Sequence, residues 1–253
     1  MKQSVLGIFM NRLGAGLVIL AWSLSAGCGP QTAQITKECN IPEDQSATIT
    51  GHWTVNPVPV AVIANDFSST EVSAISAAIS TWNAFFSASK GFTLYLAKNL
   101  PVGTSPLSKA NICSQNFLSG SGFSQAVQIV KRRSGWTYGS PVIGYTSVCR
   151  VPVTNSPYQA FYAGVIEVNF ANYFVSGQPV PDLQSVMAHE LGHLLGINHS
   201  CYTSAAAGKP ACADADPAYI DALMYPVMRF NGSQGIASRT VRTNDQQRAN
   251  CLY

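Results

Sequence analysis

Charge is scarce in this 253-residue chain, where Asp, Glu, Lys and Arg together make up 11% of the residues. Formal net charge is +3. The first thirty residues hold Lys2 and Arg12 and no acid, and without those two the 15 basic residues fall to 13 against 12 acidic ones. A balance so near neutral excludes a nucleic-acid binder of the electrostatic kind, which needs a basic patch. The one basic run, Lys131-Arg132-Arg133, stands at the end of an apolar stretch and reads as a solvated strand edge. Histidine is scarcer still, with four residues. None of the cysteines falls at C-x-x-C spacing, which argues against a cysteine-ligated zinc. The length suits one sizeable domain or two small ones, and with no internal repeat and no long linker the chain reads as one.

What is present begins at the N-terminus. Lys2 and Arg12 precede "LGAGLVILAWSLSAG", an apolar run of signal-peptide length and short for a spanning helix. It ends in "LSAGC", which resembles the bacterial lipoprotein box whose cysteine, here Cys28, becomes the lipidated mature N-terminus. Ser25 stands where that box usually has an aliphatic residue, and ordinary signal-peptidase cleavage nearby is the alternative. The expected division is a signal peptide over 1–27, a polar tether over 28–48 and one catalytic domain over 49–253. The product is exported and held by lipid at an outer membrane or cell surface, or else is periplasmic or secreted.

Seven cysteines are an odd count for an exported protein. If Cys28 carries lipid, Cys39, Cys113, Cys149, Cys201, Cys212 and Cys251 remain, an even set suited to disulfides in an oxidising compartment. Fifteen pairings of six cysteines are formally open. Cys201 with Cys212 is preferred because both fall in one loop-like segment; Cys113 with Cys149 and Cys39 with Cys251 are weaker guesses.

The hydrophobic pattern predicts an α+β fold: a mixed twisted sheet with a first backing helix, an active-site helix and a C-terminal helix. "HWTVNPVPVAVI" reads as a first strand, its prolines suiting an edge or an irregular start. "SSTEVSAISAAISTWNAFFSAS" opens with capping-type residues. Its apolar positions Val72, Ile75, Ala78, Ile79, Trp82 and Phe86 make one buried helical stripe. Strand-like runs follow in "FTLYLA", "AVQIVK", "PVIGYTSV" and "AGVIEVNF". "LQSVMAHELGHLLG" and "TNDQQRANCLY" then read as helices.

Three of the four histidines lie in "HELGHLLGINH". Residues four apart share a helix face, about 6 Å apart along the axis. His189 and His193 can therefore point two imidazoles at one metal. Glu190 projects from a neighbouring angle and can reach a water without being a ligand. Gly196 stands where the helix must stop and turn, a conformation glycine tolerates, which brings His199 back to the same point. Three neutral nitrogens with a position left open describe a catalytic zinc site rather than a closed structural one. Such a zinc lowers the pKa of a water to about 7, and Glu190 is placed to act as general base and then acid. The glycine and third histidine at this offset raise the motif well above a chance H-E-x-x-H.

At these residues the chain resembles the metzincin zinc peptidases, and among them the matrixins. "VMAHELGHLLGINHS" and "ALMYP" carry the resemblance, with Ser200 directly after the third histidine. It implies that Met224 forms the methionine turn beneath the metal. It also implies that Pro226, and at a departing position Met228, line the pocket for the side chain after the scissile bond. "AISTWNAF" and "TNDQQRANCLY" are similar more loosely to the first and closing matrixin helices. The family's second zinc is not expected, because the only other histidine is His52, read as a surface residue. Calcium has weak support from Asp214, Asp216 and Asp221, for which a solvated loop is the better reading. Cys39-Asn40-Ile41-Pro42 is a faint echo of the family's propeptide cysteine, and a structural disulfide is preferred there.

The function that follows is a zinc endopeptidase acting as a monomer on extracytoplasmic proteins or peptides, touching membrane by a lipid anchor only. The alternatives are a zinc amidase on cell-wall peptides and a non-catalytic, metal-stabilised surface lipoprotein or adhesin.

Overall fold

Ser68 and Glu71 cap helix α1 (Ser69–Lys90) reciprocally. The Ser68 hydroxyl accepts the Glu71 N–H at 3.3 Å, and the Glu71 carboxylate accepts the Ser68 N–H at 2.7 Å. The helix then buries Ile75, Ala78, Ile79, Trp82 and Phe86, the stripe its periodicity predicts, while Val72 stays half-buried. The computed structural model describes residues 39, 41–113 and 127–253. The expected signal segment, Cys28 and most of the tether lie outside them. The last part of that tether, Glu43–Thr48, is a 3-10 helix with Gln45 and Thr48 buried; the Gln45 amide donates to the Ser200 carbonyl at 2.9 Å. No helix among the described residues is long and apolar enough to cross a membrane.

The α+β expectation holds. Strands β1 (Gly51–Trp53), β6 (Gln159–Asn169), β4 (Val127–Arg132), β2 (Val58–Ile63) and β3 (Tyr95–Leu100) form a sheet in that order, all parallel. Strand β5 (Gly144–Pro152) pairs antiparallel along the other side of β6 and leaves its own outer edge free of any described strand. A hairpin of β7 (Phe230–Asn231) and β8 (Gln234–Gly235) stands apart. Helix α2 (Leu183–Leu195), the short α3 (Pro217–Ile220) and α4 (Thr243–Leu252) complete the domain.

Several expectations need correction. "HWTVNPVPVAVI" is two strands rather than one: β1 pairs with β6, and β2 lies between β3 and β4. Pro59 is therefore inside the sheet, but pairing with β4 starts only at Val60, so its missing N–H breaks no bond on that side. Lys131, Arg132 and Arg133 are not a simply solvated strand edge. Strand β4 is flanked on both sides, and the three cations pair with Glu71, Glu167 and Asp66. His52 is not a surface residue. It is 5% exposed on β1, with its Nδ1 3.0 Å from the Trp53 carbonyl and its ring edge-on to Tyr253. A short strand buried at all three positions leaves its one polar side chain no route to water.

All three guessed disulfides are present: Cys39–Cys251, Cys113–Cys149 and Cys201–Cys212. The first fixes the entry of the domain to its last helix across 212 residues. It also rules out Cys39 as a free switch cysteine.

Candidate metal centre

Helix α2 starts where Asp182 accepts the Ser185 N–H at 2.9 Å, and ends where Gly196 turns the chain at φ 116°. Only glycine fits at that end, since a Cβ on Gly196 would overlap the Gly51 carbonyl as well as strain the backbone. Four buried aromatic side chains hold the helix from the side. The Trp82 indole donates to the Ala188 carbonyl at 2.8 Å, the Tyr95 hydroxyl to Leu191 at 2.7 Å, the Trp53 indole to Leu194 at 2.8 Å and the Tyr253 hydroxyl to Leu195 at 2.9 Å. The last two serve carbonyls that a helix end leaves without partners. Trp82 is thus core, as its stripe implies, and a hydrogen-bonding strut as well.

On this braced helix the structure brings His189, His193 and His199 together, with one potential ligand atom from each and all of these within 4.8 Å of one another. No other cluster of three or more such side chains occurs among the described residues. The His189 Nδ1 lies 2.9 Å from the Leu223 carbonyl and the His193 Nδ1 3.0 Å from that of Ile197. A carbonyl only accepts, so both Nδ1 atoms carry the proton and both Nε2 lone pairs are free. Burial pushes the imidazoles towards the neutral form, His189 down to about 4, His199 to about 3 and His193 well below its ordinary value. Neutral imidazoles with fixed tautomers suit zinc, and the donor set therefore fits that ion.

Glu190 is 5% exposed beside the cluster. The Thr146 hydroxyl of β5 donates to its carboxylate at 2.6 Å, and burial pushes that carboxyl up to about 7 against the pull of Thr146. Gly144, also on β5, faces the same carboxylate so closely that a Cβ there would lie 2.5 Å from Oε1. The groups open onto a cleft of about 1310 Å³ lined by β5, α2 and the chain from Ile220 to Arg242. Pro226 and Met228 lie in its wall, as does Tyr225. Met224 is fully buried with its sulfur against Gly192, between the two helix histidines.

The loop acids do not gather. Asp216 caps α3 by accepting the Ala218 N–H at 2.7 Å, Asp221 stands 3.4 Å from Arg242, and Asp214 is exposed. Cys201–Cys212 closes the base of this loop, with Tyr202 bridged to Ala211.

Sequence reading missed Thr146, Asp245 and Arg248. The Asp245 carboxylate accepts the N–H groups of Leu223 and Met224 at 2.8 and 3.1 Å, and Arg248 donates to the carbonyls of Asn198 and His199 at 2.7 and 3.3 Å. The signal was available. Asp245, Arg248, Ala249 and Leu252 fall at helical spacing, so two charges sit on the stripe that must be buried. Thr146 left no such signal, because contact across strands is not written in local spacing.

Residues 163–250 match the family model described as metallo-peptidase family M12B, reprolysin-like, which supports a metal-dependent peptidase. The family matched is reprolysin-like rather than matrixin. No curated protein matches the chain. Among solved structures, metalloproteinase-II from Bacteroides fragilis is similar at 18% identity and a TM-score of 0.40, over 84% of this chain and 59% of that one. High choriolytic enzyme 1, a hatching-enzyme zinc protease from the medaka fish Oryzias latipes, is similar at 13% identity and a TM-score of 0.37, over 84% and 98%. The chain thus spans 59% of the solved Bacteroides chain.

Proposed function

We propose that this chain is an exported zinc endopeptidase of matrixin-like type that cleaves extracytoplasmic proteins or peptides. The observation that carries the reading is the convergence of three neutral imidazoles with a buried carboxylate in a cleft edged by a strand. His189, His193 and His199 would hold the ion. When bound, zinc supplies Lewis acidity, which makes water a nucleophile near neutral pH and polarises a carbonyl.

The protein's own groups do the rest. Strand β5 has an outer edge that no described strand covers, to which an extended peptide could add as a further strand, with its backbone carrying the hydrogen bonds. Glu190 takes a proton from the attacking water and gives it to the departing amine. Thr146 holds that carboxylate in place by its hydroxyl. Met224 packs under the helix, and Pro226 and Met228 shape the wall next to the reacting bond. The three disulfides suit an oxidising compartment, and lipidation of Cys28 would keep the domain at a membrane surface.

Glu190→Gln tests the mechanism. The variant is expected to retain one zinc per chain by elemental analysis and to lose hydrolysis of casein. Equal activity overturns the assigned base. Release of fragments from purified peptidoglycan but not from casein would favour the amidase, and zinc retention without either activity the adhesin.

A further inference from the structure

Cations are unevenly paired in this molecule. Of the basic residues in the described chain, Lys131, Arg132, Arg133, Arg239, Arg242 and Arg248 each have a carboxylate partner. Four of those that do not, Lys109, Arg150, Lys209 and Arg229, line the same cleft. Their side-chain cations meet neutral groups, although the Lys109 backbone N–H lies 3.4 Å from the Glu167 carboxylate. Lys109 reaches the Tyr145 hydroxyl at 3.2 Å, Lys209 lies 5.1 Å over the Tyr202 ring, and Arg229 donates to the Ile220 carbonyl at 3.1 Å. Arg150 is exposed and has no polar partner among the described residues. The acids lining the cleft are Glu190, bonded to Thr146, and Asp221, beside Arg242. The undescribed residues hold a single carboxylate, Glu38.

A chain that is almost neutral overall thus places four of its six described cations that lack a carboxylate partner around one groove, Lys90 and Lys98 lying elsewhere. Two of these cations stand along β5, near the residue that touches Glu190. Thr146 touches Glu190, Lys109 sits at Tyr145, and Arg150 lies five residues beyond Tyr145, roughly 16 Å along an extended strand. Low-dielectric walls focus such a field into the cleft.

Resting on the peptidase reading above, we infer that the cleft selects acidic peptide segments, with Asp or Glu on both sides of the bond to be cut. An extended peptide along β5 would bring its side chains past Lys109 and Arg150, and Lys209 and Arg229 would face it from the opposite wall. Opposite charge at these points favours encounter and orients the peptide, and like charge rejects basic ones.

The test uses the full chain carrying Glu190→Gln, so that nothing is cleaved. Binding of a fluorescent peptide rich in Asp and Glu is compared with its Asn and Gln counterpart by anisotropy. At low salt the acidic peptide is expected to bind about tenfold or more tightly, with the gap closing to about twofold near 0.5 M salt. Arg150→Glu and Arg229→Glu are each expected to narrow it. Equal binding of the two peptides at low salt, or a gap indifferent to salt in the unsubstituted cleft, overturns the inference without need of either variant. The wild-type protein separates the two readings. Equal cleavage of both peptides overturns acidic selection and leaves the peptidase standing. Tight salt-sensitive binding of the acidic peptide with no cleavage of either supports the selection and removes the peptidase.

Discussion

The carboxylate of Asp245 accepts the backbone N–H of Met224 at 3.1 Å, so the closing helix holds the turn that packs behind the histidine cluster. The same carboxylate is 3.3 Å from the Arg248 guanidinium, and both side chains are fully buried. Removing one member leaves the other charge in the interior without a counter-ion. Asp245→Asn is therefore expected to destabilise the protein by about 3–5 kcal/mol. Adding Arg248→Met should recover much of that loss, because an apolar chain of similar length needs no partner. Urea unfolding of the three proteins checks both statements. A double variant no more stable than the single one would show that the pair is not the source.

Gly144 offers a sharper probe of Glu190 than substitution of the glutamate itself. An added methyl at Gly144 would meet the Glu190 carboxylate 2.5 Å from Oε1 and must push it aside. His189 and His193 lie on the helix and His199 on the turn after it, whereas Gly144 lies on the facing strand. Gly144→Ala is thus expected to keep its zinc and most of its stability while kcat falls by about a hundredfold, the usual effect of displacing a reacting group by about 1 Å. Elemental analysis and peptide kinetics on one preparation decide it. An unchanged kcat would mean that the carboxylate's present position is unimportant.

These two cases mark how far the sequence could be read. The α1 stripe was legible because three- and four-residue spacing has only one face to bury it, and His189, Glu190, His193 and His199 because their offsets encode a helix and its turn. The break in "HWTVNPVPVAVI" was not, since a run of apolar residues says nothing about which neighbours each half will find. His52 and Lys131 were misread for a related reason. A polar side chain looks solvated until its long-range partner is known, and those partners, Tyr253 and Glu71, lie 201 and 60 residues away. Disulfide pairing was legible only within one loop.

The buried His52 gives the fold a pH dependence of known sign. Burial lowers its pKa, opposed by the hydrogen bond to Trp53. The unfolded chain takes up that proton near pH 6.5, the folded chain only at lower pH. Stability from this group is therefore complete above about pH 6.5 and is lost as pH falls through the folded value. His52→Asn, which can keep a donor towards the Trp53 carbonyl, is expected to unfold more easily than wild type at about pH 7.5 and to close that gap at about pH 5. Urea unfolding of both at the two pH values isolates His52 from the metal-site histidines, which the pair share. Parallel pH profiles would remove His52 from the account.

The Cys201–Cys212 disulfide starts two residues beyond His199, which makes it tempting to read as the brace of the metal site. Other bonds argue differently. The Ser200 N–H donates to the Met224 carbonyl at 2.9 Å, the Ser200 hydroxyl to the Tyr219 carbonyl at 2.6 Å, and Arg248 to the carbonyls of Asn198 and His199. The turn carrying His199 is thus tied to the closing helix and to the backbone at Met224 without help from the sulfurs. Closing a loop of this size restricts mainly the unfolded chain and contributes about 3 kcal/mol. Replacing both cysteines by serine is therefore expected to lower stability by that order while zinc affinity, read by competition with a chromophoric chelator, falls by less than about tenfold. Arg248→Met with Asp245→Asn should show the reverse balance, weakening zinc more than the disulfide variant does, because it releases the Asn198 and His199 carbonyls. If the serine variant loses zinc more than the Arg248 variant, the disulfide and not the buried pair positions His199.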